Sequence, residues 1–209
     1  MKILIVDDHE LIREGLKKVL VKHQEMHVVG EACDSAELFD QLKRMEVDIV
    51  ILDISLPGRS GLDIIHDLKK SYPEIKVLVL SMHPEDRFAV RVLKAGAAGY
   101  LTKQSAAQEL VKAIRKIMDG GKYISSALAE QLVLEIEAPS DKPVHELLSN
   151  REFEIMRMIG FGKSIGEIGE ELSLSVNTVT SYRARIMEKM KMKTNAELIR
   201  YAIQNQLVE

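Results

Sequence analysis

Val50-Ile51-Leu52-Asp53 is an unbroken aliphatic run closed by a carboxylate. A run without polar alternation fits the middle of a parallel sheet, buried on both faces. Asp53 then stands at the carboxyl end of its strand, where open α/β sheets carry their chemistry. Three more runs share this form. Ile3-Leu4-Ile5-Val6 ends in Asp7-Asp8, Val77-Leu78-Val79-Leu80 ends in Ser81, and Gly99-Tyr100-Leu101-Thr102 ends in Lys103. Four strands therefore deliver carboxylates, a hydroxyl and an amine to one edge of one sheet.

Outward from these strands, residues 1–120 alternate strand and amphipathic helix. The pattern predicts strands over 2–7, 27–31, 48–53, 76–81 and 98–102, and helices over 9–23, 35–45, 61–71, 85–95 and 106–119. Such alternation implies right-handed crossovers and a doubly wound, five-stranded parallel sheet. Asp34 with Glu37, and Ser105 with Gln108, have capping-box spacing at two helix starts. Cys33 is the single cysteine, so no intrachain disulfide is possible. It is expected to be a small core residue near the end of the second strand.

Asp7, Asp8 and Asp53 converge if their strands lie side by side. Like charges so close need compensation. A hard divalent cation, Mg²⁺, supplies it through carboxylate oxygens and waters. A carboxylate such as Asp53 can attack phosphorus to form an aspartyl phosphate. The cation and Lys103 would then neutralise the transferring group, and Ser81 would donate to another of its oxygens. No glycine-rich nucleotide loop is present. The phosphoryl donor is therefore expected to arrive on another protein.

Those residues resemble the receiver domain of a two-component response regulator. The likeness rests on Asp7-Asp8, Asp53 followed by Leu56-Pro57-Gly58 and Gly61, Ser81, and Lys103 with Tyr100 three residues before it. It implies a flavodoxin-like receiver over 1–120. Asp8, Asp53 and the backbone carbonyl of Ser55 would hold Mg²⁺, with Asp7 acting through its water. Asp53 would take the phosphoryl group from a histidine kinase. Ser81 and Tyr100 would be the pair that moves, Tyr100 turning inward. Two departures stand out: Gln104 replaces the family's common proline after Lys103, and Met82 follows Ser81 where a small residue is usual. His83 occupies a position tied in the family to dephosphorylation rate.

Gly120-Gly121 ends the fifth helix, and 125–136 has the pattern of one more. Ala138-Pro139-Ser140-Asp141-Lys142-Pro143 then breaks every pattern, which makes 121–144 a partly helical linker. Residues 145–209 read as a small all-α domain of four helices. Ser149 with Glu152, Ser164 with Glu167, and Thr194 with Glu197 are S/T-x-x-E capping boxes, and Ser175 can cap a further helix.

Charge separates within this last domain. Residues 145–177 are mainly acidic, whereas 178–193 carry Arg183, Arg185, Lys189, Lys191 and Lys193 against Glu188 alone. A basic helix beside acidic ones is a candidate for phosphate contact. Val179, Ile186 and Met190 recur at helical spacing and should face the core. The opposite face holds Asn177, Thr180, Ser181, Ala184, Arg185 and Glu188. Small polar residues let a helix approach base edges in a major groove. Gly169 lies inside the preceding helix, where glycine costs about 1 kcal/mol; close approach of another helix would be the reason for it. Ser173-Leu174-Ser175 makes the turn of a helix-turn-helix over about 164–190.

Leu148-Ser149-Asn150-Arg151-Glu152, Glu167-Ile168-Gly169, Thr178-Val179 and Ile186-Met187-Glu188-Lys189-Met190 resemble the four-helix LuxR-type DNA-binding domain. With the receiver, the whole chain is similar to the NarL/FixJ class. This implies double-stranded DNA as a partner, contacted by Asn177, Thr178, Thr180, Ser181, Tyr182, Arg183, Ala184, Arg185 and Lys189. Most of the class has Thr-Val-Lys and a histidine in this helix; Thr180 and Tyr182 stand there instead. Thr-Val-Thr-Ser-Tyr-Arg is closer to regulators of global secretion and virulence traits. Leu198, Ile199, Ala202 and Ile203 form an apolar stripe that would pair two DNA-binding domains into a homodimer on phosphorylation, or pack within its own domain.

Composition agrees with this reading. Of 209 residues, 46 % are hydrophobic and the net charge is −3. No apolar run is long enough to span a bilayer and no leader pattern opens the chain, so a cytoplasmic protein with no membrane partner is expected. Two other readings are a receiver acting only by protein contact and an aspartyl-phosphate phosphatase. The phosphatase would need an acid two residues past its nucleophile, and Ser55 stands there.

Overall fold

The computed structural model describes residues 1–56, 59–82, 87–126, 128–130 and 143–208. The chain divides into two compact units, Met1–Leu132 and Val133–Glu209.

In the first unit, β1 (Lys2–Val6), β2 (His27–Ala32), β3 (Ile49–Asp53), β4 (Lys76–Ser81) and β5 (Gly99–Thr102) form one sheet of order β2-β1-β3-β4-β5. Every neighbouring pair is parallel. The helices between them are α1 (Glu10–Leu20), α2 (Ser35–Leu42), α3 (Gly61–Ser71), α4 (Arg87–Lys94) and α5 (Lys103–Met118). All five residues of β3 are buried, as its lack of alternation predicts. Ile3, Ile5, Ile49, Ile51, Leu78 and Leu80 point to one face and pack with Leu16 and Leu20 of α1 and Leu110, Ile114 and Ile117 of α5. Their alternates Leu4, Val50, Leu52, Val77 and Val79 are equally buried on the other face. The order reverses between β1 and β3, and that switch point sets Asp7 beside Asp53.

Several local expectations fail. The fifth helix begins at Lys103 rather than 106, and its N-cap is Thr102, whose side chain accepts from Ser105 N. With no proline or glycine after β5, the strand runs straight into the helix. The hydroxyl directly before Lys103 therefore caps it, and Ser105 lies within the first turn. Cys33 is half-buried rather than core, because it lies one residue past the end of the edge strand β2. Asp34 caps α2 as expected, but Glu37 bonds the N–H of Cys33 instead of that of Asp34.

In the second unit a 3₁₀ turn (Val144–Leu147) leads to α6 (Asn150–Gly160), α7 (Ile165–Glu171), α8 (Val176–Met190) and α9 (Asn195–Gln204). Ser149 with Glu152 and Ser164 with Glu167 make full reciprocal capping boxes. Ser175 and Thr194 cap α8 and α9. At α9 the return bond goes from Lys193 N to Glu197, so that box is half formed. Phe153, Ile159, Ile168, Val179, Ile186, Met190, Leu198 and Ala202 form the core.

The reason for Gly169 differs from the one expected. A Cβ there would meet the carbonyl oxygen of Leu174 at 2.8 Å, and Leu174 N donates to Gly169 O at 2.8 Å. The close neighbour is the turn's own backbone, not a helix. The glycine pressed between helices is Gly160, whose Cβ would stand 2.9 Å from Ala202 Cβ.

Candidate functional site

The ends of β1 and β3 and the start of α5 build one acidic cluster. Asp7 and Asp53 are each 1 % exposed. Lys103 Nζ lies between them, 2.7 Å from Asp7 Oδ2 and 2.7 Å from Asp53 Oδ2. Ser55 N donates to Asp53 Oδ1 at 3.0 Å, and His9 N donates to Asp7 Oδ1 at 2.9 Å. Asp8 is more open, and its Oδ1 is 2.8 Å from His9 Nδ1. Arg13 of α1 holds the loop from behind: its Nη1 donates to Asp7 O at 2.6 Å and its Nε to Glu31 at 3.1 Å.

Burial pushes the Asp53 carboxyl above its ordinary range, although Lys103 and the Ser55 N–H both oppose the shift. Burial also works against the charge on Lys103, but the carboxylates of Asp53 and Asp7 outweigh it and raise that pKa. Three carboxylates face one ammonium here, an excess of two negative charges. The candidate ligand atoms of Asp7, Asp8, His9 and Asp53 lie within 4.8 Å of one another. Charge and donor set thus fit a divalent cation.

Ser81 ends β4, one residue past Leu80, the partner of Asp53 in the sheet. It is fully buried, as is Tyr100 on β5, which pairs with Val79 of β4. Tyr100 is thus already buried in this structure. Met82 is 62 % exposed and turned to solvent. Pro57, Gly58 and His83 lie outside the described residues.

On α8, Val179, Ile186 and Met190 face the core as the periodicity predicts. Asn177, Thr178, Thr180, Ser181, Ala184, Arg185 and Lys189 are exposed; Tyr182 and Arg183 are half-buried. The Thr180 and Ser181 hydroxyls donate to Val176 O and Asn177 O, one turn back. Their oxygens can still accept. Arg185 stacks on the Tyr182 ring at 5.8 Å.

Two families match this chain. Residues 3–115 match the response regulator receiver domain, and residues 146–202 match the luxR family of bacterial regulatory proteins. The response regulator UvrY of Escherichia coli K12 is 39 % identical over 208 residues, spanning 99 % of this chain and 95 % of that one. The response regulator GacA of Pseudomonas syringae is 37 % identical over 210 residues, spanning 100 % and 98 %.

This chain belongs to the response regulator family.

Solved structures agree. The RcsB response regulator of Salmonella typhimurium aligns with this response regulator at a TM-score of 0.69 and 28 % identity, covering 98 % of this chain and 97 % of that one. An RcsB–DNA complex aligns at 0.61 and 28 %, covering 97 % and 98 %.

Some residues singled out from the response regulator's sequence are engaged elsewhere. Lys189 Nζ bonds Glu152 at 2.6 Å, and Arg183 Nε bonds Asn195 Oδ1 at 2.6 Å. The apolar stripe on α9 is divided: Leu198 and Ala202 are fully buried in their own domain, Ile199 is half-buried, and Ile203 is 56 % exposed. Leu198 and Ala202 thus present no surface to a second copy in this arrangement. His9 and Arg13 went unnoticed in the sequence. Their signal is position: His9 adjoins Asp8, and Arg13 lies in the first turn of the helix that the acidic strand end leads into. Among the described residues no helix is long and apolar enough to cross a membrane.

Proposed function

We propose that this response regulator is a transcription factor whose DNA binding is switched by phosphoryl transfer from a histidine kinase to Asp53. The observation that carries this reading is Lys103 held 2.7 Å from both Asp7 and Asp53 at the switch point of the sheet. A buried carboxylate beside a fixed ammonium, with acidic groups in excess, suits a phosphoacceptor that works with a divalent cation. Mg²⁺, held by Asp8, Asp53 and the Ser55 carbonyl, with Asp7 through water, would neutralise the transferring group. Lys103 and Ser81 would pair with the phosphoryl oxygens, and Ser81 with Tyr100 would pass the change to the surface. The chain would run at most its own phosphorylation and dephosphorylation, and turn over no other substrate.

The exposed small-residue face of α8 would enter the major groove of double-stranded DNA. Asn177, Thr178, Thr180, Ser181, Tyr182 and Ala184 would lie toward the bases, with Arg183 and Arg185 toward phosphates. Phosphorylation would favour a homodimer, with Ile199 and Ile203 as the α9 residues open to a second copy. The protein would work in the cytoplasm.

The test pairs a small-molecule phosphodonor with Mg²⁺ and a band shift on genomic fragments. The full chain should gain one phosphoryl group by mass and bind DNA more tightly, and Asp53→Asn should do neither. If Asp53→Asn responds to the donor as the parent does, the reading is wrong.

A further inference from the structure

β5 is an edge strand, whose outer side carries backbone groups in need of partners. The chain beyond α5 supplies some of them. Tyr123 pairs in parallel with Gly99; its N–H donates to Ala98 O at 3.0 Å, and its carbonyl accepts from Tyr100 N at 3.0 Å. Gly99 permits this approach, since a Cβ there would stand 2.9 Å from Tyr123 O. The Tyr123 side chain is buried in the core that holds Leu110 and Ile117 of α5, and its hydroxyl donates to Glu109 Oε2 at 3.0 Å. One residue earlier, Lys122 Nζ donates to Ala97 O at 2.7 Å. Residues 122–123 are thus a short strap fastened to the edge strand.

Two groups of the proposed phosphorylation site belong to that strand or continue it. Tyr100 lies within β5, and Lys103 follows Thr102 directly. Asp53 lies on β3, across β4 from the strap. A phosphoryl group on Asp53 that draws Lys103 inward therefore draws β5 away from Tyr123. Tyr100 joins the two sides: its side chain is buried, and its N–H holds the strap. From Tyr123 the chain runs on toward the second unit. We infer that the strap is a phosphorylation-sensitive latch, which loosens from β5 when Asp53 is phosphorylated and so passes the change directly into the chain that leads to the DNA-binding domain. The phosphoryl group shifts the latch because it interacts differently with the fastened and the loosened strand. This inference rests on the reading of Asp53 as the phosphoacceptor.

The experiment measures amide hydrogen exchange on the full chain with Mg²⁺, before and after phosphoramidate. Exchange at the Tyr100 and Tyr123 amides should quicken by about fivefold or more, while the amides of β2 hold. Tyr123→Ala removes the buried anchor. It should still gain one phosphoryl group by mass but bind DNA more tightly than the parent without the donor, so that the donor's effect on affinity collapses toward unity. Tyr123→Phe loses the Glu109 bond alone and should keep most of that effect. Unchanged exchange at both amides on phosphorylation, or a Tyr123→Ala chain with the parent's full gain in DNA affinity, overturns the inference and leaves Asp53 as the phosphoacceptor. A parent chain that takes up no phosphoryl group instead removes that reading, and the inference with it.

Discussion

Lys189 Nζ lies 2.6 Å from Glu152 Oε2, joining the last turn of α8 to the first turn of α6. The same oxygen accepts from Ser149 N at 2.7 Å, so one buried carboxylate both closes a capping box and anchors the helix expected to meet DNA.

Glu152→Gln should therefore destabilise the second unit by about 1.5–3 kcal/mol at neutral pH, the cost of losing a charged hydrogen bond. Burial raises the Glu152 pKa, but Lys189 and Ser149 together bring it below 4.5. A depressed carboxylate contributes stability that is present above its unfolded pKa and lost as pH falls through its folded one. Urea unfolding of parent and variant should thus differ at pH 7 and converge as pH drops below 4.5. A gap that persists at low pH would contradict the ion pair.

Arg183 is braced by Asn195, the first residue of α9. Arg183→Ala should weaken all DNA sequences alike and lower the salt slope by about one. Asn195→Ala should weaken binding less and keep the slope, since the charge stays. Changing Thr180 or Ser181 should alter which sequence is preferred. Band shifts over a salt series separate these outcomes.

Lys103→Met removes the one ammonium facing three carboxylates. Phosphorylation of Asp53 should be lost, and the melting temperature without metal should fall. Mg²⁺ affinity should rise by about tenfold or more, because a cation no longer competes with a like charge a few ångströms away. Asp8→Ala should move Mg²⁺ affinity the other way, below detection. Titration calorimetry on both variants checks the signs.

Gly169 and Gly15 are both helical but should respond oppositely to alanine. At Gly169 the new Cβ would press on Leu174 O at 2.8 Å, a backbone atom that cannot swing away. A loss of about 1–3 kcal/mol should result despite the better helix propensity. At Gly15 nothing lies within 4 Å, so Gly15→Ala should gain about 0.4–1 kcal/mol. Thermal melts of the two variants test the pair.

Much of the architecture was legible in the chain because its signals are local. The aliphatic run ending at Asp53, its three companions, and the S/T-x-x-E boxes at Ser149 and Ser164 each lie within a few residues, and the strands and caps they mark formed there. Periodicity likewise set Val179, Ile186 and Met190 inward, since a helix face depends only on spacing. What tertiary structure decided was which partner each exposed or charged group met. Lys189 met Glu152, 37 residues away, and so left the basic face. Leu198 and Ala202 met their own core and left the expected dimer stripe, while Gly169 met a backbone carbonyl rather than a helix. Asp7, Asp53 and Lys103 became one site because β1 and β3 pair across the switch point and α5 starts directly at the end of β5. Local free energies select helix, strand and cap; a charge or an apolar surface finds its partner only when distant segments are packed together, and spacing along the chain does not encode that choice.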